Sequence, residues 1–171
     1  MAHSIQAAIG QSATLDLIKG TWVDAAALPL TQAFSLMPLI PTLSDGIEEL
    51  FKPAHSDPFS SFNYRSGFVI EWLKHSSEQG PLAYLETDFF GGTGSQSAII
   101  FQGGEVSPGL LTTQIRENQQ GQLEQIPAGT SAISQVLKKL GVAVAGVEDE
   151  FDTLGLGKFR SNESIVQAIQ N

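Results

Sequence analysis

The apolar positions along this chain predict a mixture of strands and helices. Ile5, Ala7 and Ile9 recur at every second position, as in a strand, although a short helix would also fit. Residues 25–43 contain apolar runs interrupted by three prolines, which the interior of a helix does not tolerate. This segment therefore predicts two short strands, followed by a short helix that begins at Ser44 or Asp45.

Helical periodicity returns in three later segments. Spacings of four residues, as between Phe68 and Trp72, predict a helix that ends before Gly80. A second amphipathic helix is predicted from an N-cap at Thr130 to a C-cap at Gly141. A third is predicted over residues 161–171. Residues 53–63 predict a surface loop, and the polar stretch between residues 108 and 127 fits either a solvated hairpin or a loop.

The segment "AYLETDFFGGTGSQSAIIF", residues 83–101, predicts a central β-hairpin. Strands over 82–90 and 96–102 flank a corner that contains Gly91, Gly92 and Gly94. Glycine permits the positive φ angles of a tight reversal. The whole chain, residues 1–171, is predicted to form a single α+β domain with a mainly antiparallel mixed sheet and helices packed mainly on one face.

Composition narrows the possible functions. The chain has 171 residues, of which 42% are hydrophobic, and a formal net charge of −9. It has no cluster of Lys and Arg, so nucleic acid binding is not expected. The absence of cysteine excludes disulfides and thiolate metal sites, and no apolar run is long enough to span a membrane. We expect a cytoplasmic protein without a cofactor.

The glycine-rich loop does not fit a phosphate-binding motif. Ser97 stands where a dinucleotide fingerprint would have its third glycine, and no lysine follows Gly94. The β-branched residues that follow predict a strand, whereas a phosphate loop needs the N-terminus of a helix.

Glu86 and Asp88 are the first candidate binding residues. Their spacing of two places both carboxylates on one face of the predicted strand. Such a pair can hold a hard cation or divide acid and base roles, with Gln96 as a further member of the site. Alternatively, the two carboxylates face water or accept hydrogen bonds from the neighbouring loop. No histidine, serine or metal-binding motif completes a catalytic set, so no catalytic or metal-ligating residue is predicted.

A second candidate is the acidic segment near the C-terminus. One hypothesis is a docking surface for a basic protein, with apolar anchors at Phe151 and Leu154. The alternative is a solvated turn whose charge is offset by Lys158 and Arg160. The candidate binding residues of this segment are Glu148, Asp149, Glu150, Phe151 and Asp152.

The order of "AYLETDFFGGTGSQSA", "ISQVLKKLGV" and "DEFDTLGLGKFR" resembles a family of small, largely uncharacterised bacterial proteins. That family has a Y-x-E-x-[DE]-[FY]-F-G-G-x-G-x-Q core, a helix and a D-E-F-D element. The matching positions of the core are Tyr84, Glu86, Asp88, Phe90, Gly91, Gly92, Gly94 and Gln96. The resemblance, over about residues 66–160, implies one continuous domain and no established activity, and it leaves open an immunity-type role against a toxin.

Two functions of different classes follow. The preferred hypothesis is a non-enzymatic protein-interaction module, of immunity or regulatory type, with an acidic surface for a basic partner. The other is a small hydrolase or a metal- or ligand-binding protein that uses Glu86 and Asp88 beside the glycine loop. The oligomeric state is left open.

Overall fold

The computed structural model describes residues 2–51, 62, 67–106 and 109–171, and these residues form eight β-strands and six α-helices. The strands are β1 (His3–Gln11), β2 (Leu28–Pro29), β3 (Phe34–Pro38), β4 (Leu82–Phe90), β5 (Thr93–Gln102), β6 (Glu105–Val106), β7 (Leu111–Glu117) and β8 (Leu123–Ile126). The helices are α1 (Ser12–Thr21), α2 (Pro41–Phe51), α3 (Gly67–Ser76), α4 (Ala132–Leu140), α5 (Glu150–Thr153) and α6 (Asn162–Gln170).

All eight strands belong to one sheet. Its order is β2-β3-β1-β4-β5-β7-β8, with β6 beside β5, and the neighbouring strands pair antiparallel. The predicted α+β class, with a largely antiparallel sheet and a central hairpin, is confirmed. The N-terminal segment is the strand β1 rather than a helix, and the polar stretch before Pro127 forms the hairpin of β7 and β8.

The central hairpin turns at two glycines. Gly91 and Gly92 have φ angles of 62° and 91°, and Phe90 pairs with Thr93 directly across the turn. Strand β5 begins at Thr93, three residues before the predicted start at Gln96. A strand therefore follows the corner directly, and no helix N-terminus is available there for a phosphate group.

The helices cover both faces of the sheet, and the prediction of one mainly covered face is wrong in this detail. One core packs α1, α2 and α3 against one face of the central strands, and the other core packs the segments of α4, α5 and α6 against the opposite face. Residues 82–85 show why, because all four side chains are buried although successive side chains of a strand point to opposite faces. A strand that is apolar on both faces needs a cover on each.

Several helix boundaries also differ from the predictions. Helix α2 begins at Pro41 rather than at Ser44 or Asp45. The N-cap of α4 is Ser131 rather than Thr130, whereas the predicted C-cap Gly141 does end this helix, in a left-handed conformation. The predicted loop over 53–63 lies outside the described residues, apart from Phe62.

Residues 160–162 lie beside the first half of β1. The backbone N–H of Ser4 donates to the carbonyl of Arg160 at 2.8 Å. The side chain of Asn162 accepts the N–H of Gln6 at 2.9 Å and donates to the Gln6 carbonyl at 3.0 Å, as a neighbouring strand would. It also donates to the carbonyl of Leu39 at 3.1 Å. These contacts fix the segment that leads into α6 and place Arg160 near His3.

Candidate functional site

The two hairpin carboxylates lie on one face of β4, as predicted, but in different environments. Glu86 is buried and accepts a hydrogen bond of 2.7 Å from the Tyr84 hydroxyl, whereas Asp88 is exposed. Neither carboxylate is without an interaction partner. Glu86 thus lies on the sheet face that packs against α1–α3 and bonds to a residue of its own strand, whereas the alternative stated above had both carboxylates facing water or bonded to the neighbouring loop.

Gln96 is not brought together with these carboxylates. It pairs with Thr87 across the hairpin and therefore lies on the face opposite to Glu86. Its Oε1 accepts the backbone N–H of Ile133 at 3.1 Å, in the first turn of α4. Gln96 thus joins the sheet to α4, and its location excludes the predicted three-residue site.

The acidic segment is divided between structure and surface. Asp149 caps α5, because its Oδ1 accepts the Asp152 N–H at 2.9 Å, and its Oδ2 accepts the Ser134 hydroxyl at 2.8 Å. Glu150 is buried, and Leu154 belongs to the core rather than to an exposed anchor. Only Glu148 and Asp152 of the four acidic residues are exposed. Of the docking surface predicted from the sequence, this segment therefore exposes two of the four carboxylates and buries the anchor Leu154.

Residues 143–148, which we call the interaction loop, precede this segment and are exposed at all six positions. Val144 and Val147 retain 48% and 47% of their accessible surface. Two anchors hold the loop. Gln32 accepts the N–H of Ala143 at 3.0 Å and donates to its carbonyl at 2.6 Å, and the N–H of Ala145 donates to Thr153 Oγ1 at 3.3 Å.

Gln32 reaches the interaction loop from a strained turn. Gln32 and Ala33 have φ angles of 56° and 59°, in the left-handed region that side chains other than glycine seldom adopt. Such a conformation costs on the order of 1 kcal/mol or more at each residue and persists where the surroundings enforce it. The turn therefore holds Gln32 against the loop in a conformation that costs free energy.

A cleft of about 560 Å³ opens beside α5 on the face of the sheet that carries Gln96. His3 and Thr87 lie at its inner side, and Phe89, Phe151 and Arg160 are among its other lining residues. Asp149 also lines it. The cleft joins Gln96 with two residues of the acidic segment, Asp149 and Phe151, that the sequence placed in a separate candidate site. His3, Thr87 and Arg160 had no motif that would have identified them.

His3 is held in place beneath this cleft. Its side chain Nδ1 lies 2.8 Å from Thr87 Oγ1, which also accepts the N–H of Ile5 at 3.0 Å. If the Thr87 hydroxyl donates to Nδ1, this hydroxyl acts as both a donor and an acceptor, and the neutral imidazole carries its proton on Nε2. Nε2 is buried, and no described residue meets it in full hydrogen-bond geometry. Burial and, to a smaller extent, the positive charge of Arg160 lower the pKa of His3 below 6.5, and the backbone carbonyls of His3 and Leu156 oppose this effect.

This lowered pKa predicts a pH-dependent stability. The unfolded chain binds a proton at His3 more readily than the folded protein does. The contribution of neutral His3 to the free energy of unfolding is therefore fully present above the unfolded-state pKa of 6.5, and it is lost as the pH falls through the lower folded-state pKa. Urea unfolding between about pH 5 and pH 8 should show this slope, and His3→Asn should reduce it. The exposed His75 provides the control, since His75→Asn should leave the His3 contribution in place. An unchanged slope in His3→Asn would contradict this assignment.

Comparisons with known proteins found no match to a protein family, a curated protein or a solved structure. The family resemblance of the hairpin motif therefore stays a prediction. Within the described ranges, no three His, Cys, Asp or Glu side chains are grouped so that they could hold a metal ion. In the same part of the chain, no helix has the length and apolar character needed to cross a membrane.

Proposed function

We propose that this protein is a non-enzymatic interaction module that binds a protein partner through the interaction loop, residues 143–148, together with Asp152. The observation that supports the proposal is the pair of exposed valines on a loop held by hydrogen bonds at Ala143 and Ala145. A preformed loop loses little conformational entropy on binding, and exposed apolar side chains gain free energy when a partner covers them. An immunity-type or regulatory protein would use such a surface.

Charge favours a basic partner, but the local excess of negative charge is small. The chain has a net charge of −9, and Glu148 and Asp152 are exposed beside the valines. Lys138 and Lys139 line the same neighbouring cleft as Glu148. We therefore expect the valines to supply most of the affinity, whereas the carboxylates at the rim mainly affect the association rate and its dependence on salt.

The alternative, a hydrolase or ligand-binding site at Glu86 and Asp88, has less support. Glu86 is buried and hydrogen-bonded to Tyr84, and Gln96 lies on the other face of the sheet. We therefore place the binding function at the loop.

Capture of partners from native lysate tests the proposal. The double variant Val144→Ser and Val147→Ser should weaken retention of its specific partner at least about tenfold, because burial of each valine contributes on the order of 1 kcal/mol or more. Val23→Ser is the matched control, since Val23 is fully exposed elsewhere and should not affect retention. Glu148→Gln should reduce the salt dependence of retention, and Glu105→Gln, at another exposed site, should not.

The result that contradicts the proposal is equal retention by the double valine variant and the Val23→Ser control. Retention that is lost equally in both variants would indicate nonspecific apolar adsorption and would also contradict it. The urea midpoint of each variant shows whether folding is intact, since all three positions are exposed and should tolerate serine.

A further inference from the structure

The cleft beside α5 is distinct from the interaction loop and has the character of a small-molecule site. We propose that it binds an organic carboxylate with an aromatic body, held between Arg160 and the ring of Phe151. Its volume of about 560 Å³ lies within the range of roughly 300–1,000 Å³ that small-molecule sites usually have. The residues that form it come from β1, β4, β5, β8 and the segments before α4 and around α5, so the fold assembles it from distant parts of the chain.

Arg160 provides the reason to expect an anion. Its backbone is fixed by the hydrogen bonds of its carbonyl to Ser4 and its N–H to Ser164. Its guanidinium makes no hydrogen bond or ion pair within the described ranges, although carboxylates are twice as numerous as basic residues in this chain. A guanidinium with free donors matches the two oxygens of a carboxylate in geometry and charge.

Further donors line the cleft. The Gln96 carbonyl oxygen is used by Ile133, and its amide N–H groups have no partner among the described residues. The Ser131 oxygen accepts the N–H of Ser134, which leaves the hydroxyl proton for a ligand. His3 also lines the cleft, and it is only 9% exposed. An acceptor-rich ligand fits this set better than a donor-rich one.

The aromatic side chains that line the cleft indicate that the ligand has an apolar, flat part. Phe151 is half-buried, and its ring centroid lies 6.1 Å from that of His3. Phe89 is also half-buried and lines the cleft from β4. Aromatic rings that remain partly exposed in a cleft gain free energy by packing against a flat apolar group.

The charges in the cleft favour a ligand with a single negative charge. Arg160 supplies one positive charge, and Asp149 lines the same cleft with a carboxylate whose oxygens already accept hydrogen bonds from Ser134 and Asp152. A phosphate dianion would gain from Arg160 but would be repelled by Asp149 and by the net charge of −9. A monocarboxylate therefore fits better than phosphate.

Titration by NMR of the full chain tests this proposal with four probes. N-acetylphenylalanine should give saturable shifts at Phe151, Gln96 and His3. N-acetylphenylalaninamide, which lacks the charge, and inorganic phosphate, which lacks the ring, should each bind at least about tenfold more weakly. A tetrapeptide that ends in phenylalanine with a free carboxylate distinguishes two sources of the carboxylate. Binding as tight as that of N-acetylphenylalanine indicates a peptide C-terminus, and weaker binding indicates a small molecule.

Substitutions test whether Arg160 binds the carboxylate of the ligand. Arg160→Gln should weaken binding of N-acetylphenylalanine about tenfold to a hundredfold, whereas Arg116→Gln, at an arginine already paired with Glu124, should not. Phe151→Leu should also weaken it. Ligand saturation should raise the pKa of His3, because the bound anion offsets the charge of Arg160, with Asp149 as the other charged group of the cleft.

Three results would overturn the proposal: no saturable shift with any probe, equal affinity for the acid and its amide, or an unchanged affinity in Arg160→Gln. The double valine variant of the interaction loop should retain carboxylate binding in full. Failure of the cleft as a site is therefore distinguishable from failure of the loop as a protein-binding surface.

Discussion

Gly94→Ala should destabilise the protein by roughly 3 kcal/mol or more. A methyl group at this position would overlap the backbone of Asp88 and Phe89 in the paired strand, and backbone atoms cannot move aside as the end of a flexible side chain can. The φ angle of 150° also lies in a region that alanine seldom adopts. The free energy of unfolding in urea, followed by circular dichroism, measures the loss.

Gly91→Ala is the matched control in the same hairpin. Its φ angle of 62° is also unfavourable for alanine, but among the described residues no atom beyond its two chain neighbours lies within 4 Å of the added methyl group. We expect a loss of only about 1–2 kcal/mol from the backbone conformation alone. Equal losses in the two variants would show that the backbones of β4 and β5 do not approach at Gly94 as described.

Asn162→Ala should destabilise the protein by roughly 2–4 kcal/mol, because it removes three hydrogen bonds to the backbone of Gln6 and Leu39. Asn162→Asp should be at least as destabilising, since it keeps the acceptor for the Gln6 N–H but loses both donors and turns a negative charge toward two carbonyls. Unfolding in urea again provides the measurement.

Asn171→Ala is the control for the chemical change, because Asn171 is exposed and donates one hydrogen bond to the Gln167 carbonyl. It should change stability by less than about 0.5 kcal/mol. If Asn162→Ala has an equally small effect, residues 160–162 do not continue the sheet beside β1, and the position of Arg160 at the cleft loses its support.

The hairpin could be predicted because its signals are local. Glycines between two segments rich in β-branched or aromatic residues indicate a tight turn. This signal does not depend on the rest of the chain. The distribution of the helices over the sheet is not local. An amphipathic helix shows that one of its sides is buried, but not which face of the sheet it covers. The unbroken apolar runs at 82–85 and 98–101 were the available signal that both faces are covered.

Helix α1 was missed for a related reason. It follows β1 without an intervening turn, and its N-cap, Gln11, makes no side-chain capping bond. Its buried positions, Thr14, Leu15 and Ile18, are spaced as on one helix face but are too few to stand out in the sequence. The start of α2 did have a signal, because proline is favoured in the first turn of a helix, as at Pro41.

The candidate sites show the same limit. Because Glu86 and Asp88 are two residues apart on a strand, their side chains lie on one face, and this follows from strand geometry alone. Gln96 lies opposite because the two-residue turn sets the register, and a shift of this register by one residue would have placed Gln96 on the other face. His3, Phe151 and Arg160 meet only through the tertiary fold, and no short motif in the sequence joins them.

The central claim is that the interaction loop contacts a protein partner, and photochemical crosslinking tests it most directly. The photoreactive amino acid p-benzoylphenylalanine would replace Val147 in one sample and the more exposed control residue Val23 in another, and both would be irradiated in native lysate. We expect a discrete crosslinked adduct from position 147 that is absent from position 23. The same adducts from both positions, or none from position 147, would contradict it.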